Sequence, residues 1–235
     1  MCGLPQKLSR RYNSFFMAAE LKKRLADIIR RLKKIYPDAR VELDFSTPFE
    51  LLIASVLAAQ NTDANVNSIT PTLFRKYSGP QDFLSVDLSE LEKDIYSTGF
   101  FRQKAKTIQA ISKSLIERFG GNVPSGMEEM LSLPGVGRKT ANVVLGEAMG
   151  LTTGIVVDTH NIRLAARLKL SDEKTADKIE KDLMKLVPKR DWIKFGQLIT
   201  WHGRRVCKAR KPNCSACVIS DLCPSSQLAE SGKSK

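Results

Sequence analysis

The sequence predicts an all-α protein. Three observations carry that reading. Apolar residues recur at helical spacing over most of the chain, no alternating apolar–polar run is long enough to build a sheet, and Ser/Thr, Pro and Gly fall where helices start and stop. With 235 residues and 42% hydrophobic content, the chain can bury one large core or two modest ones.

Taken in order, residues 1–19 carry no acid and little pattern, and are expected to form a flexible basic leader. Met17 precedes Ala18-Ala19-Glu20 and offers an alternative native start. From Glu20 the period is clear: Leu21, Leu25, Ile28, Ile29, Leu32 and Ile35 make one apolar stripe opposite Lys22, Lys23, Arg30, Lys33 and Lys34, and Pro37 ends the helix. Ser46-Thr47-Pro48 is a helix start, with a hydroxyl cap followed by proline in the first turn. Residues 49–59 are almost wholly apolar, so that helix is expected to be buried. Asn65–Lys76 and Asp87–Ser97 read as helices, as does the amphipathic Arg102–Phe119, which Gly120-Gly121 stops. Met127–Leu133, Lys139–Met149, Thr159–Leu168, Glu173–Val187 and Trp192–Gly203 complete the set. Ile155-Val156-Val157 is too short to found a sheet.

The net charge of +13 is unevenly placed. Residues 1–40 hold 11 Lys/Arg against 3 Asp/Glu, net +8, residues 204–235 hold 7 against 2, net +5, and residues 41–203 balance at 20 and 20. Basic ends of this kind favour a polyanion, of which nucleic acid is the usual one; the plain alternative is a protein with basic tails. No apolar run approaches the ~20 residues of a membrane helix, and no secretory signal is visible. A cytoplasmic, nucleoid-associated monomer is therefore expected, with no membrane partner. The acid-free stretch around Arg10 and Arg11 makes only a weak case for organellar targeting.

Four of the five cysteines crowd into one segment, spaced Cys207-x6-Cys214-x2-Cys217-x5-Cys223. Without a signal peptide, metal is favoured over disulfides. Zinc sites more often show two CxxC pairs, and this segment has one, so an iron–sulfur cluster is the better match, with zinc and disulfides as alternatives. Lys208, Arg210 and Lys211 lie in the loop between the first two cysteines. They are either a solvated charge run or cations presented to DNA phosphates by a loop tied at both ends.

Leu133-Pro134-Gly135-Val136-Gly137 joins two short helices. Glycine tolerates positive φ and leaves room beside the backbone, and a helix start aims free N–H groups outward. Gly135, Val136, Gly137 and Arg138 are thus candidates for gripping a DNA phosphate without reading sequence. The stretch is not a nucleotide-binding P-loop, because Arg138 stands directly before Lys139 where that motif needs glycine, and no strand precedes it. Lys139 alone would be a solvated surface lysine. A cation is disfavoured at a helix start, however, and Arg138 is adjacent, both of which favour the neutral, nucleophilic amine.

Leu133–Val144 (LPGVGRKTANVV), Val157-Asp158-Thr159-His160 and the cysteine spacing together resemble the endonuclease III family of DNA glycosylases, of the helix-hairpin-helix superfamily. The likeness runs from about Leu21 to Pro224. It implies two helical subdomains, a six-helix domain with the helix-hairpin-helix at 41–151 and a cluster domain from 20–40 with 152–235, with a DNA-binding cleft between them. It implies a [4Fe–4S] cluster on Cys207, Cys214, Cys217 and Cys223 that shapes a DNA-binding loop. It implies a bifunctional DNA glycosylase and AP lyase of base excision repair, acting on double-stranded DNA with damaged bases or abasic sites. Lys139 would be the nucleophile at C1′, giving a Schiff base and β-elimination, and Asp158 the catalytic carboxylate. Oxidised pyrimidines are the expected lesions. The same machinery turned to mismatched thymine or uracil or to pyrimidine dimers, a non-catalytic DNA-binding module, and a zinc-bound adaptor are the rivals.

Further site residues rest on the same likeness. Gln60 matches a glutamine that fills the gap left by a flipped base, though it could be an ordinary helix-end amide. Asn61 departs from the alanine of many relatives, and Asp63 falls near the pocket or caps a helix. Phe100 stands where relatives often carry an aliphatic wedge, and could stack on the orphaned base or belong to a core aromatic pair. His160 is a pocket candidate or a buried, hydrogen-bonded histidine. Trp201 and His202 are expected to pack against the cluster.

Overall fold

The computed structural model describes residues 6–228, with side chains described from residue 19 onward. It is all-α, with no strand among the described residues. Among the described residues eleven α-helices follow in order: α1 Gln6–Ile35, α2 Pro48–Leu57, α3 Asp63–Lys76, α4 Pro80–Ser85, α5 Leu88–Asp94, α6 Phe101–Phe119, α7 Met127–Leu131, α8 Arg138–Val143, α9 Thr159–Arg167, α10 Ala176–Leu186 and α11 Trp192–Arg205. The chain divides into two compact units, Val41–Thr153 and Met1–Arg40 with Gly154–Lys235.

Two expectations at the N-terminus change. The flexible leader was expected to end at residue 19, but α1 already begins at Gln6, while residues 1–5, with Cys2, lie outside the described residues. Ile35, placed in the apolar stripe, is 38% exposed. Tyr36, four residues beyond Leu32, takes the buried position as the helix ends.

The unit 41–153 is built on α2, whose Leu51, Leu52, Ile53, Ala54 and Leu57 are wholly buried. Thr47 caps this helix by accepting a hydrogen bond from the Glu50 amide at 3.1 Å, and Pro48 starts it. Helix α6 lays Ala105, Ile108, Ile111 and Leu115 against the same core. The sequence pattern missed α4. It is six residues long and opens at Gly79-Pro80, which reads as a turn, yet Asp82 fixes its start through the Ser78 amide at 2.8 Å. Its Phe83 is fully buried, with ring centres 4.9 Å from Tyr77 and 5.7 Å from Phe49. The helix expected over Lys139–Met149 is α8 followed by a widened π turn at Val144–Ala148.

The second unit packs α1, α9, α10 and α11 around Leu25, Ile28, Leu32, Leu164, Ile179, Phe195 and Leu198. Ile155-Val156-Val157 runs through it as buried chain outside any helix, with no strand among the described residues to pair with. A buried amide needs an acceptor, and the Ile155 N–H finds one in the buried Glu180 carboxylate at 3.2 Å. Gly196 of α11 lets this segment approach closely: a Cβ there would stand 3.1 Å from the Val156 carbonyl oxygen. The segment delivers the chain to Asp158. Gly196→Val should therefore overpack this contact and cost roughly 1–3 kcal/mol, read as a lower urea midpoint at unchanged m-value. An unchanged midpoint would show that the approach is not tight.

Candidate active site and cluster segment

Asp158 is the N-cap of α9. Its Oδ1 accepts hydrogen bonds from the His160 amide at 2.8 Å, the Asn161 amide at 2.9 Å and Asn161 Nδ2 at 3.1 Å. Thr200 Oγ1, which accepts from Asn161 Nδ2 at 2.8 Å, donates to Asp158 Oδ2 at 3.3 Å. The carboxylate is half-buried at the positive end of a helix, a place that favours a negative charge. His160 is half-buried beside it, with Nδ1 3.1 Å from Arg163 Nη2. Burial, first, and then Arg163 and Arg204 lower its pKa, against Asp158 and the Gly203 backbone, which raise it. The ring rests on Gly203, where a Cβ would meet the His160 Cβ at 2.9 Å.

The glycine hairpin lies in the other unit, and its two glycines do different work. Gly135 has φ +72°, and a Cβ there would stand 2.7 Å from Thr107 Cγ2, so the fold itself demands glycine. Gly137 caps α8 at φ −94°, an ordinary conformation, and a Cβ there would meet nothing within 4 Å. The fold does not require glycine at 137, so the missing side chain suits an approaching ligand. One expectation changes here: the Val136 side chain is buried and its amide donates to the Leu133 carbonyl at 3.2 Å, which commits Val136 to building the turn. The first intrahelical bond of α8 is from Ala141 to the Gly137 carbonyl, so helix geometry gives the amides of residues 139 and 140 no acceptor within the helix. Arg138 is half-buried and Lys139 exposed.

Gln60, Phe100, Gly135 and Thr140 line one cavity of about 290 Å³ in the same unit. Gln60 and Phe100 are both exposed and both adopt the left-handed conformation, at φ 55° and 47°. Phe100 is 65% exposed and makes no core pair; it is Phe101 that packs on Tyr96, with centroids 4.8 Å apart. Asn61 is a loop-builder, its Oδ1 accepting from the Thr62 amide at 2.8 Å and from Asn65 at 3.2 Å. Its Nδ2 is buried with no protein partner. Asp63 is the first residue of α3, whose cap is Thr62.

Cys207, Cys214, Cys217 and Cys223 carry free thiols and together line a cavity of about 190 Å³. Burial pushes the Cys217 thiol up to about 11, and the three other cysteines add to that shift. Four thiolates gathered in this setting need a compensating positive charge, which an iron cluster supplies when bound. Four cysteines lining one cavity are a donor set that fits an iron–sulfur cluster.

His202 is buried as expected, with Nε2 3.4 Å from Cys217 Sγ and Nδ1 3.3 Å from the Tyr36 hydroxyl. Burial drops its pKa to about 4, so the ring is neutral. Trp201 instead packs on Tyr36 and Arg205, and donates to the Arg40 carbonyl at 2.9 Å.

Lys208, Arg210 and Lys211 are exposed. The residues that hold their loop are ones sequence reasoning missed. Arg163 donates to the carbonyl of Cys207, and Arg167 to the Lys208 and Ala209 carbonyls at 2.9 and 2.8 Å and to Cys207 Sγ at 3.1 Å. Their i, i+4 spacing on α9 was the available signal. Arg24 similarly reaches the Leu168 and Leu222 carbonyls, and Arg31 pairs with Asp221. Part of the N-terminal charge excess is thus used inside the fold.

A glycine hairpin entering a helix, a capped aspartate and four cysteines around a cavity, all on a helical frame, define a helix-hairpin-helix DNA repair protein. The family model described as HhH-GPD superfamily base excision DNA repair protein matches residues 53–189, and that of the iron-sulfur binding domain of endonuclease III matches residues 207–223. Endonuclease III of Synechocystis sp. is 50% identical over 211 residues, covering 90% of this chain and 96% of that protein. Endonuclease III of Bacillus subtilis is 47% identical over 198 residues, covering 84% and 90%. A trapped endonuclease III–DNA covalent intermediate aligns at TM-score 0.83 and 43% identity, over 89% of this chain and 98% of that one. A thermostable thymine-DNA glycosylase aligns at 0.78 and 26% identity, over 88% and 98%. The chain belongs to the endonuclease III family: it is a DNA-binding base excision repair glycosylase and AP lyase with a [4Fe–4S] cluster.

The two glycines separate by substitution. Gly135→Ala should cost roughly 1–3 kcal/mol through left-handed strain and the Thr107 contact. Gly137→Ala should leave the melting curve nearly unchanged and weaken duplex binding, measured by fluorescence anisotropy. Equal effects of both on stability would remove the distinction.

Proposed function

We propose that the protein removes oxidised pyrimidines from duplex DNA and cuts the strand at the resulting abasic site, acting as a monomer. The observation that carries this reading is a lysine at a helix start entered through a glycine that the fold does not itself need. The amides of residues 139 and 140 and the open face at Gly137 hold a backbone phosphate beside the lesion. The damaged nucleotide leaves the stack, and Gln60 and Phe100 occupy the space it vacates. Lys139 Nζ, as the free amine, attacks C1′; the C1′–N bond breaks and its electron pair leaves with the base. Asp158 stabilises the cationic sugar as that bond opens and takes up the proton that the amine sheds. The ring opens to a Schiff base, loss of a 2′ proton expels the 3′ phosphate, and hydrolysis frees Lys139.

The cysteine segment has a different task. Cys207, Cys214, Cys217 and Cys223 would hold the [4Fe–4S] cluster, which supplies structural cross-linking when bound. Arg167 fixes the backbone from which Lys208 projects, and with Arg210 and Lys211 it would add phosphate contacts.

The substrate is tested with duplexes carrying thymine glycol, uracil opposite guanine, thymine opposite guanine, a pyrimidine dimer and an abasic site. Thymine glycol and the abasic duplex should be cut fastest; no cleavage of either would remove the reading, and preference for a mismatch would shift it to the thymine–uracil class. Affinity should fall steeply with salt, with a log–log slope near −0.9 for each phosphate contacted. Asp158→Asn keeps a good helix cap and removes the charge. It should melt close to the parent while base release slows by roughly 10²–10⁴-fold; parental rates would exclude Asp158 from the chemistry.

A further inference from the structure

Lys104 is the most deeply buried cation of the unit 41–153, 5% exposed, and the proposed chemistry does not use it. Its ammonium donates to the Leu57 carbonyl at 2.7 Å and to the Thr98 carbonyl at 2.8 Å. Those carbonyls belong to two separate segments. Leu57 ends α2, three residues before Gln60, and Thr98 lies two residues before Phe100. Asn65 makes a second link between the same segments, its Nδ2 donating to the Ser97 carbonyl at 3.0 Å and to Asn61 Oδ1 at 3.2 Å.

Each segment ends in a residue that its backbone does not favour. Among the described residues only Gln60, Phe100 and Lys169 are non-glycine residues with positive φ. Such a conformation costs of order 1 kcal/mol or more and persists where the surroundings impose it. Phe100 is also a large apolar side chain held 65% exposed. Burial of a lysine adds a further cost, expressed in the lowered pKa of Lys104. A bare need to satisfy two carbonyls is met more cheaply by the two N–H groups of a neutral amide. A charged double donor makes stronger hydrogen bonds and links both segments at one atom.

We propose that Lys104 and Asn65 are positioning residues that brace Gln60 and Phe100 into one paired probe of fixed spacing, so that the two tips enter the duplex together. The cavity between the tips, about 290 Å³ and lined also by Val56, Lys104, Gly135 and Thr140, is the space that this bracing holds open. Fixed tips have already lost the freedom that insertion would otherwise remove, so distortion of the duplex costs less. The inference rests on the reading of Gln60 and Phe100 as the residues that occupy the vacated stack.

The test compares two single-turnover rates for each holoenzyme variant: base release from a thymine glycol duplex, and strand cleavage at an abasic site in single-stranded DNA, where no opposite strand needs probing. Asn65→Ala and Lys104→Met should lower the duplex rate roughly tenfold or more and leave the single-strand rate alone. Gln60→Ala and Phe100→Ala should lower the same ratio. Asn65→Ala placed on Gln60→Ala should lower it no further, because unbraced and missing tips fail at the same step. Asn65→Ala decides the matter if Lys104→Met does not fold. Bracing variants that keep the parental ratio while the tip variants lower it would overturn the brace alone. Tip variants that keep the ratio would overturn the reading of the tips, and the brace with it.

Discussion

The cap at Asp158 is the interaction from which the unit containing it is organised. One carboxylate oxygen takes up two backbone amides at the start of α9 and the Asn161 side chain, and Thr200 steadies the other. Loss of such a cap typically costs about 1 kcal/mol, so its direct contribution to stability is modest. Its geometric reach is larger. The same helix that begins at Asp158 carries Arg163 and Arg167 on its next turns, and these hold the backbone of the cysteine loop. A single nine-residue helix thus fixes a proposed catalytic carboxylate at its start and the cation-bearing loop along its length. The chain before Asp158 is fixed in turn by Glu180 and by the close approach at Gly196.

In the unit 41–153 the constraint is steric and not electrostatic. Gly135 is glycine because its backbone and Thr107 leave no alternative, while Gly137 is glycine although nothing in the protein stands near it. The contrast separates the residue that shapes the turn from the one that keeps a surface open. The left-handed Gln60 and Phe100 extend the same theme: conformations the chain does not favour are placed at exposed positions and held from beneath by the buried ammonium of Lys104. Strain that is localised at solvent-facing tips and fixed by buried polar contacts indicates a surface prepared for a partner.

The helical class was legible because amphipathic periodicity is a property of whole segments, as in α1 and α6, and survives errors at their ends. Helix α4 was not, since six residues after Gly79-Pro80 carry one apolar anchor, Phe83, and no period. Ile35 shows the limit of a stripe: its position fits the period, but the helix ends there and Tyr36 turns inward instead. Features carried by local sequence can be proposed from it: the lysine after the hairpin, the aspartate before a helix, the cysteine spacing. Residues that act across the fold were not legible in this way. Arg163, Arg167, Asn65 and Lys104 reach carbonyls 6 to 47 positions away, and beyond the i, i+4 spacing of the two arginines nothing in their own neighbourhood announces those partners. Val136 illustrates the converse, a residue inside a recognisable motif whose amide and side chain both serve the turn.

The central claim is that Lys139 is the covalent nucleophile. Its most direct test is peptide mapping by mass spectrometry of the complex trapped when the protein acts on an abasic duplex in the presence of borohydride. The account predicts a single modified tryptic peptide with the reduced sugar adduct on Lys139. An adduct on another lysine or on the N-terminal amine, with Lys139 unmodified, would contradict it.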